Sequence, residues 1–308
     1  MPGSIPWIGE SDVKRPDFFI VGAPKCGTTA LYTYLRAHPK IFMPALKEPQ
    51  YFAEDILGQK RNVCTGEDYL ALFDAASNER RIGEASTAYL GSALAAKKIN
   101  AFDPAAQIIV MVRNPVDMMY ALHSHRCYEG EEEITDFETA LEADEMNIKL
   151  RGDGPKRPNG LAYWQMASFS LQISTYFAEF GRDNVHVIVY EDFKADTRRV
   201  YKQTLDFLGV PTDFEPQFPV INPNCRVRSR AIQQFVRRPP KFLRTVSHAI
   251  LPLPARRLIG NHVRSLNEPA EPRPTMPAEL RRRLLRDFGD EVEELGSLLN
   301  RDLSEWRR

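Results

Sequence analysis

The chain has no net charge, few cysteines and no long apolar run. Lys+Arg and Asp+Glu both number 41 over 308 residues, so the formal net charge is zero. That balance excludes a globally basic surface of the kind that binds nucleic acid or heparin-like polymers, leaving only local basic clusters. The four cysteines, Cys26, Cys64, Cys127 and Cys225, contain no C-x-x-C pair, so neither structural zinc nor a disulfide framework is indicated. No apolar stretch reaches membrane length, and the opening MPGSIPWIGESDVKRPD has no apolar h-region. Nucleic acid and membrane are therefore not expected as partners; the oligomeric state is open. Neither an internal repeat nor a sharp domain boundary divides the chain. At 43% hydrophobic residues it can bury a substantial core.

What is present begins with residues 17–35, DFFIVGAPKCGTTALYTYL. The apolar run Phe18 to Val21 meets a loop with two glycines, a lysine and two threonines. Leu31, Tyr34 and Leu35 then recur at helical spacing. Strand, loop and helix in that order build an anion site from backbone N–H groups and the positive end of the helix dipole. The triphosphate P-loop, G-x-x-x-x-G-K-[ST], is the nearest general pattern. Gly22 and Gly27 have its separation, but Thr28 stands where that pattern needs lysine, and Lys25 lies inside the loop. The next strongly apolar run, Ile108 to Val112, ends in Arg113 and not in a magnesium-holding aspartate. Phosphoryl transfer from a triphosphate normally uses Mg²⁺, so this pairing favours an anion site without a metal.

Strands are expected over 17–22, 82–86, 107–112 and 185–190, with helices over 28–37, 66–76, 92–101, 116–127, 136–148, 160–180, 196–208 and 275–300. The alternation predicts an α/β fold: a P-loop-like three-layer sandwich with a central parallel sheet flanked by helices. Residues 1–16 form a Pro-rich lead-in and 17–308 one domain. The stretch RGDGPKRPNG at 151–160 is expected as a long surface loop, either a lid or an insertion without a role.

The motif P-K-C-G-T-T at 24–29 resembles the 5′-phosphosulfate loop of sulfotransferases that use 3′-phosphoadenosine 5′-phosphosulfate. R-N-P-V-D at 113–117 is similar to their 3′-phosphate motif, and K-E-P-Q-Y-F at 47–52 to a segment of the carbohydrate, heparan-sulfate-like branch. V-I-V-Y-E-D-F at 187–193 and R-D-L-S-E-W at 301–306 also match family segments. Golgi members of that branch carry a membrane anchor, and the lack of one here implies a soluble, cytoplasmic, bacterial-type member. A trimmed piece of an anchored protein is the alternative.

The resemblance implies in-line displacement at sulfur with adenosine 3′,5′-bisphosphate leaving. It places Lys25 at the bridging oxygen and Lys25, Cys26, Gly27, Thr28, Thr29 and Ala30 around the 5′-phosphate. For Cys26 a tolerated small residue is the plainer reading. Arg113 is implied at the 3′-phosphate, with its planar fork suited to bidentate contact. The family serine eight residues on is here Ala121, and Ser124 is the candidate substitute. Arg226 and Arg228 fall where a family loop closes over that phosphate. Glu48 is implied as the base that takes the acceptor proton, with Lys47 contacting donor or acceptor anions. Gln50 stands where the family often has histidine. His125 lies twelve residues after Arg113, an offset at which N-sulfotransferases carry a functional histidine. Thr87 and Tyr89, in the segment Glu84-Ala85-Ser86-Thr87-Ala88-Tyr89, are candidates to line an acceptor cleft, with capping and packing as the alternative. Tyr163 and Trp164 are candidate stacking faces for a sugar or another ring, although aromatics on a helix are more often core.

The expected function is sulfuryl transfer to a hydroxyl or amine of a saccharide or small-molecule acceptor, with the phosphosulfate as donor and no metal required. Two alternatives stand beside it: a P-loop kinase of a small metabolite, and a catalytically silent nucleotide-binding protein, which Ala121 and Gln50 keep open.

Overall fold

The computed structural model describes residues 13–151, 162–219, 221 and 274–308. Five parallel strands form one sheet in the order β2-β3-β1-β4-β5: β1 (Phe18–Gly22), β2 (Ile41–Phe42), β3 (Arg81–Ala85), β4 (Gln107–Val112) and β5 (Val185–Val189). Every residue of β1 is buried, and so is all of β4 after Gln107. Strands covered on both faces need continuous apolar runs, which FFIV and IIVMV supply. From central β1 the chain goes first to β2 and β3 on one side, then to β4 and β5 on the other. This reversal opens a crevice at the carboxyl ends of the strands, the usual ligand position in open α/β sheets.

The helices described are α1 (Thr28–Arg36), α2 (Glu54–Leu57), α3 (Gly66–Ala71), α4 (Ala95–Phe102), α5 (Pro115–Glu129), α6 (Phe137–Arg151), α7 (Tyr163–Met166), α8 (Phe169–Phe180), α9 (Tyr190–Ala195), α10 (Thr197–Leu208), α11 (Ala278–Asp287) and α12 (Gly289–Leu299). They flank the sheet, with α8 packed on β4, β5 and α4, and α9 and α10 on β5. An aromatic cluster fills the space beside β1: Phe52 meets Phe19, Tyr69, Tyr89 and Phe102 with ring centroids 5.3 to 6.1 Å apart. Such edge-on pairs add to the area they bury. Among the described residues no helix is long and apolar enough to cross a membrane.

The expected parallel α/β architecture is the one observed, with differences in detail. The helix expected over 160–180 is broken at Ala167 and Ser168 into α7 and α8. The helix expected over 275–300 is broken at Phe288, whose ring turns inward to stack on Trp164 at 4.9 Å and 10°. The short strand β2 and the helix α9, which begins at the residue after β5, were not anticipated.

Gly83 on β3 faces Phe18 of β1 in register. A Cβ there would lie 2.1 Å from Phe18 Cζ and 2.5 Å from Met43 Sδ, both buried. Overpacking of this kind costs about 2–3 kcal/mol, so Gly83→Ala is expected to lower the denaturation midpoint at an unchanged slope. An unmoved midpoint would show that the Phe18 ring yields freely.

Candidate functional site

All five strands deliver candidate groups to the same edge of the sheet. The loop after β1 closes onto its neighbours through Ala23 N–H to Met111 O (2.7 Å) and Leu90 N–H to Val21 O (2.8 Å). Gly27 caps α1 in the left-handed region (φ 93°), with no side-chain cap on the helix and no acidic residue in its first turn. Lys25, part-buried, is also left-handed (φ 62°). Such turns point successive N–H groups into a concavity and suit an anion. Thr28 is buried and Thr29 part-buried. The Ala30 N–H is already taken by Gly27 O (3.0 Å), and its side chain has no polar atom, so Ala30 adds little to the cradle.

Tyr190, at the end of β5, joins the loop to Arg113. A Cβ on Gly27 would come within 3.1 Å of the Tyr190 ring, so glycine is needed for this approach as well as for its φ. The Arg113 guanidinium lies 4.8 Å from the centroid of the same ring. Arg113 Nε is buried without a hydrogen-bond partner, and Arg113 has no ion pair among the described residues. A buried, unsatisfied guanidinium N–H is costly, and a bound phosphate would relieve it. Glu191 Oε1 accepts from Asn114 N–H (3.4 Å) while its Oε2 is unpartnered. Burial pushes the Glu191 carboxyl up, and Arg113 offsets part of that rise. Peptide N–H groups, Lys25 and Arg113 thus stand at neighbouring strand ends, a setting suited to an anion.

On the other side of β1, segment 47–52 is clamped to segment 84–89. Glu48 has φ 64° and Gln50 φ 62°. The Glu48 N–H donates to Ala85 O (2.9 Å). The Glu48 carboxylate accepts from Thr87 N–H (2.8 Å), Thr87 Oγ1 (3.1 Å) and Lys47 Nζ (2.5 Å). Its side chain is 23% exposed and that of Lys47 18%, so the pair is reachable from solvent. Glu48, Lys47 and Thr87 are thus brought together.

Other candidates are not placed as expected. The Tyr89 side chain is fully buried and lines no cleft; its hydroxyl donates to Glu84 Oε2 (3.0 Å) and accepts from Phe52 N–H (3.4 Å). Tyr163 is also fully buried, held by Glu132 (3.1 Å) at its hydroxyl and covered by Arg126 4.8 Å from its ring centroid. Trp164 spends its stacking face on Phe288. The Cys26 side chain belongs to the core: it has no exposed surface, its thiol donates to Pro24 O (3.4 Å), and burial pushes its pKa far up. Ser124 is bonded back to Tyr120 O (3.1 Å), Ala121 is buried, and His125 is exposed. At 1.5 Å per residue, His125 stands about 15 Å along α5 from its first residue. Arg226, Arg228 and the stretch 152–160 lie outside the described residues.

Two residues beside these candidates were missed. Tyr190 follows a buried strand at the edge where ligands bind, which is a usable signal. Glu84 is an acid at the end of a strand otherwise expected to be buried, which is another. Among the described residues no group of three or more His, Cys, Asp and Glu side chains is arranged to hold a metal ion.

A glycine-bounded loop feeding a helix with no side-chain cap, an arginine just past the adjacent strand and a carboxylate on the other side of β1 make a P-loop-like α/β arrangement suited to an anion. The sulfotransferase domain family matches residues 15–223, and the chain belongs to that family. Mouse carbohydrate sulfotransferase 15 is 27% identical over 251 residues, covering 63% of this chain and 44% of that protein. Human bifunctional heparan sulfate N-deacetylase/N-sulfotransferase 3 is 27% identical over 213 residues, covering 66% of this chain and 23% of that protein. The chain thus spans less than half the length of these curated relatives. The crystal structure of a sulfotransferase from Alicyclobacillus acidocaldarius superposes with a TM-score of 0.71 at 29% identity, covering 96% of this chain and all of that one.

The buried and exposed thiols should differ in reactivity, because thiolate is the reactive form. Native protein treated with a maleimide and mapped by mass spectrometry is expected to be labelled at Cys64 and not at Cys26 until denaturant is added. Labelling of Cys26 at the Cys64 rate would contradict its place in the core.

Proposed function

We propose that the chain transfers the sulfuryl group of 3′-phosphoadenosine 5′-phosphosulfate to a hydroxyl, or an amine, of a carbohydrate-like or small natural-product acceptor, by in-line displacement. The observation that carries this reading is the unpaired Arg113 guanidinium stacked on Tyr190 beside the Gly27 turn. Bound there, the donor supplies the sulfuryl group and a phosphate leaving group. The N–H groups at the start of α1 and the threonine hydroxyls of 28 and 29 hold the 5′-phosphate, and Arg113 holds the 3′-phosphate. Lys25 neutralises charge as it builds on the bridging oxygen, a role for a preorganised cation close to the reacting atoms. Glu48, steered by Thr87, takes the acceptor proton. Lys47 attracts an anionic acceptor and moves from its present partner Glu48 as the proton arrives. His125 is the second candidate base.

The kinase reading is not favoured, because the chain belongs to the sulfotransferase family and carries Thr28 where the triphosphate loop has its lysine. A cytoplasmic location is our reading of a sequence with four cysteines and no C-x-x-C pair, a usage that suits a reducing compartment.

Labelled-donor turnover against an acceptor library, with EDTA present throughout, tests the reaction. Lys25→Ala is expected to lower kcat by about 10²–10³, the range for removing one preorganised group at a developing charge. A near-normal kcat would remove lysine from that role. Glu48→Gln is expected to lower kcat by about 10²–10⁴ while calorimetric binding of adenosine 3′,5′-bisphosphate persists. An unchanged rate at saturating acceptor would move the base to His125. Firm binding of magnesium–ATP with no affinity for the bisphosphate would overturn the whole reading.

A further inference from the structure

Glu84 is an acid beside the Glu48 segment that reaches no solvent. It is 0% exposed, at the end of β3. Its Oε2 accepts from Tyr69 on α3 (2.7 Å) and from Tyr89 (3.0 Å), and its Oε1 has no partner. Burial pushes its carboxyl up to about 7, and the nearby Glu48 charge adds to the rise, against the hydroxyls of Ser86, Tyr69 and Tyr89. The buried Tyr176 of α8 also lies within its field. Nothing in sulfuryl transfer as derived above uses this group.

Its place in the hydrogen-bond pattern does suggest a use. Alternate N–H groups of the strained segment all turn to segment 84–89: Glu48 to Ala85 O (2.9 Å), Gln50 to Ser86 Oγ (2.9 Å) and Phe52 to Tyr89 Oη (3.4 Å). A tyrosine hydroxyl has one proton. Because Tyr89 gives its proton to Glu84, its oxygen is turned to receive the Phe52 N–H. Without the carboxyl the hydroxyl would be free to rotate its proton toward Phe52, meeting donor with donor. We propose that Glu84 is a positioning residue for Glu48: from inside the sheet it sets the Tyr89 hydroxyl as an acceptor and so holds segment 48–52 in the left-handed turns that present the Glu48 carboxylate to Thr87 and the crevice. This inference rests on Glu48 as the proton acceptor. A second consequence follows from the unpartnered Oε1. A proton can sit there without disturbing either tyrosine, so Oε2 serves as acceptor in both charge states, and a glutamine should imitate the protonated form.

The test is a kinetic cycle combined with backbone amide exchange. Glu84→Leu and Tyr89→Phe are each expected to lower kcat by about 10–10², to leave calorimetric binding of adenosine 3′,5′-bisphosphate as it was, and to speed exchange at the Gln50 and Phe52 amides. Glu84→Gln is expected to restore most of the rate and the protection. In a Glu48→Gln background, Glu84→Leu should cost nothing further. Equal fold losses in both backgrounds would make Glu84 a merely structural residue and overturn the proposal. So would full protection of the Gln50 and Phe52 amides in either folded variant. If Glu84→Leu does not fold, Tyr89→Phe carries the test, since it removes the hydroxyl and keeps the ring. If Glu48→Gln alone leaves kcat unchanged, it is the base assignment that falls, and amide exchange still decides whether Glu84 holds the segment.

Discussion

The parallel pairing of β1 with β4, and of β4 with β5, is the constraint on which the proposed donor side of the site depends. Parallel strands send all their carboxyl ends to one edge, and their register then decides which residues emerge as neighbours. Gly22 lies opposite Val110 after a register shift, and Ala23 N–H bonds Met111 O, so the 23–27 turn rises directly beside the end of β4. Val112 pairs with Val189. The next residue on each strand, Arg113 and Tyr190, must therefore leave the sheet side by side, and the guanidinium comes to rest on the ring. A cation over an aromatic face contributes roughly 0.5–2 kcal/mol, enough to hold one rotamer of a long side chain. A Cβ at Gly27 would press on this ring at 3.1 Å and would sit on a left-handed backbone, φ 93°. Three residues far apart in the chain are thus locked by one register, before any ligand is considered.

The acceptor side obeys a different logic. Glu48 and Gln50 sit in left-handed backbone, which costs about 1–2 kcal/mol for each L-residue. Hydrogen bonds to Ala85 O and Ser86 Oγ return about 1 kcal/mol apiece, and bonds to the Glu48 carboxylate about 1.5–3. The terms are of similar size, so the geometry persists only while segment 84–89 keeps its hold. Backbone strain at such positions is met where the surroundings over-determine it. Here the over-determination comes from side chains, Ser86, Thr87 and Tyr89, which local sequence does not advertise.

That difference explains what could be read from the sequence. Buried strands announce themselves as apolar runs, so β1, β4 and β5 were legible to within a residue or two; β3, RIGEA, was placed as closely without being such a run, whereas two-residue β2 has no periodicity to detect. The glycine spacing around Lys25 and the arginine ending an apolar run were legible because their structure is local. Helix breaks were not: the break at Phe288 exists because its ring finds Trp164 from α7, a contact no local window contains. Aromatic residues misled for a related reason. Tyr89, Tyr163 and Trp164 carry the chemistry of a sugar platform, but residue type does not say which face a side chain occupies, and tertiary packing spent all three on Glu84, Arg126 and Phe288. Tyr190, the aromatic that does stand at the site, looked like the last residue of a strand.

A division of labour follows from these two constructions. The proposed donor crevice is fixed by strand register, so moving Arg113 or Tyr190 would mean re-pairing strands that are buried on both faces. The Glu48 carboxylate is instead hung from Thr87 and Lys47, on a loop outside the ladder. Exchanging those side chains can re-aim Glu48 while leaving the pairing of β1, β4 and β5 intact. The part proposed for the donor thus rests on strand register and the part proposed for the acceptor on side chains, and the two meet at the end of β1, where Ser86 N–H bonds Ile20 O and Leu90 N–H bonds Val21 O.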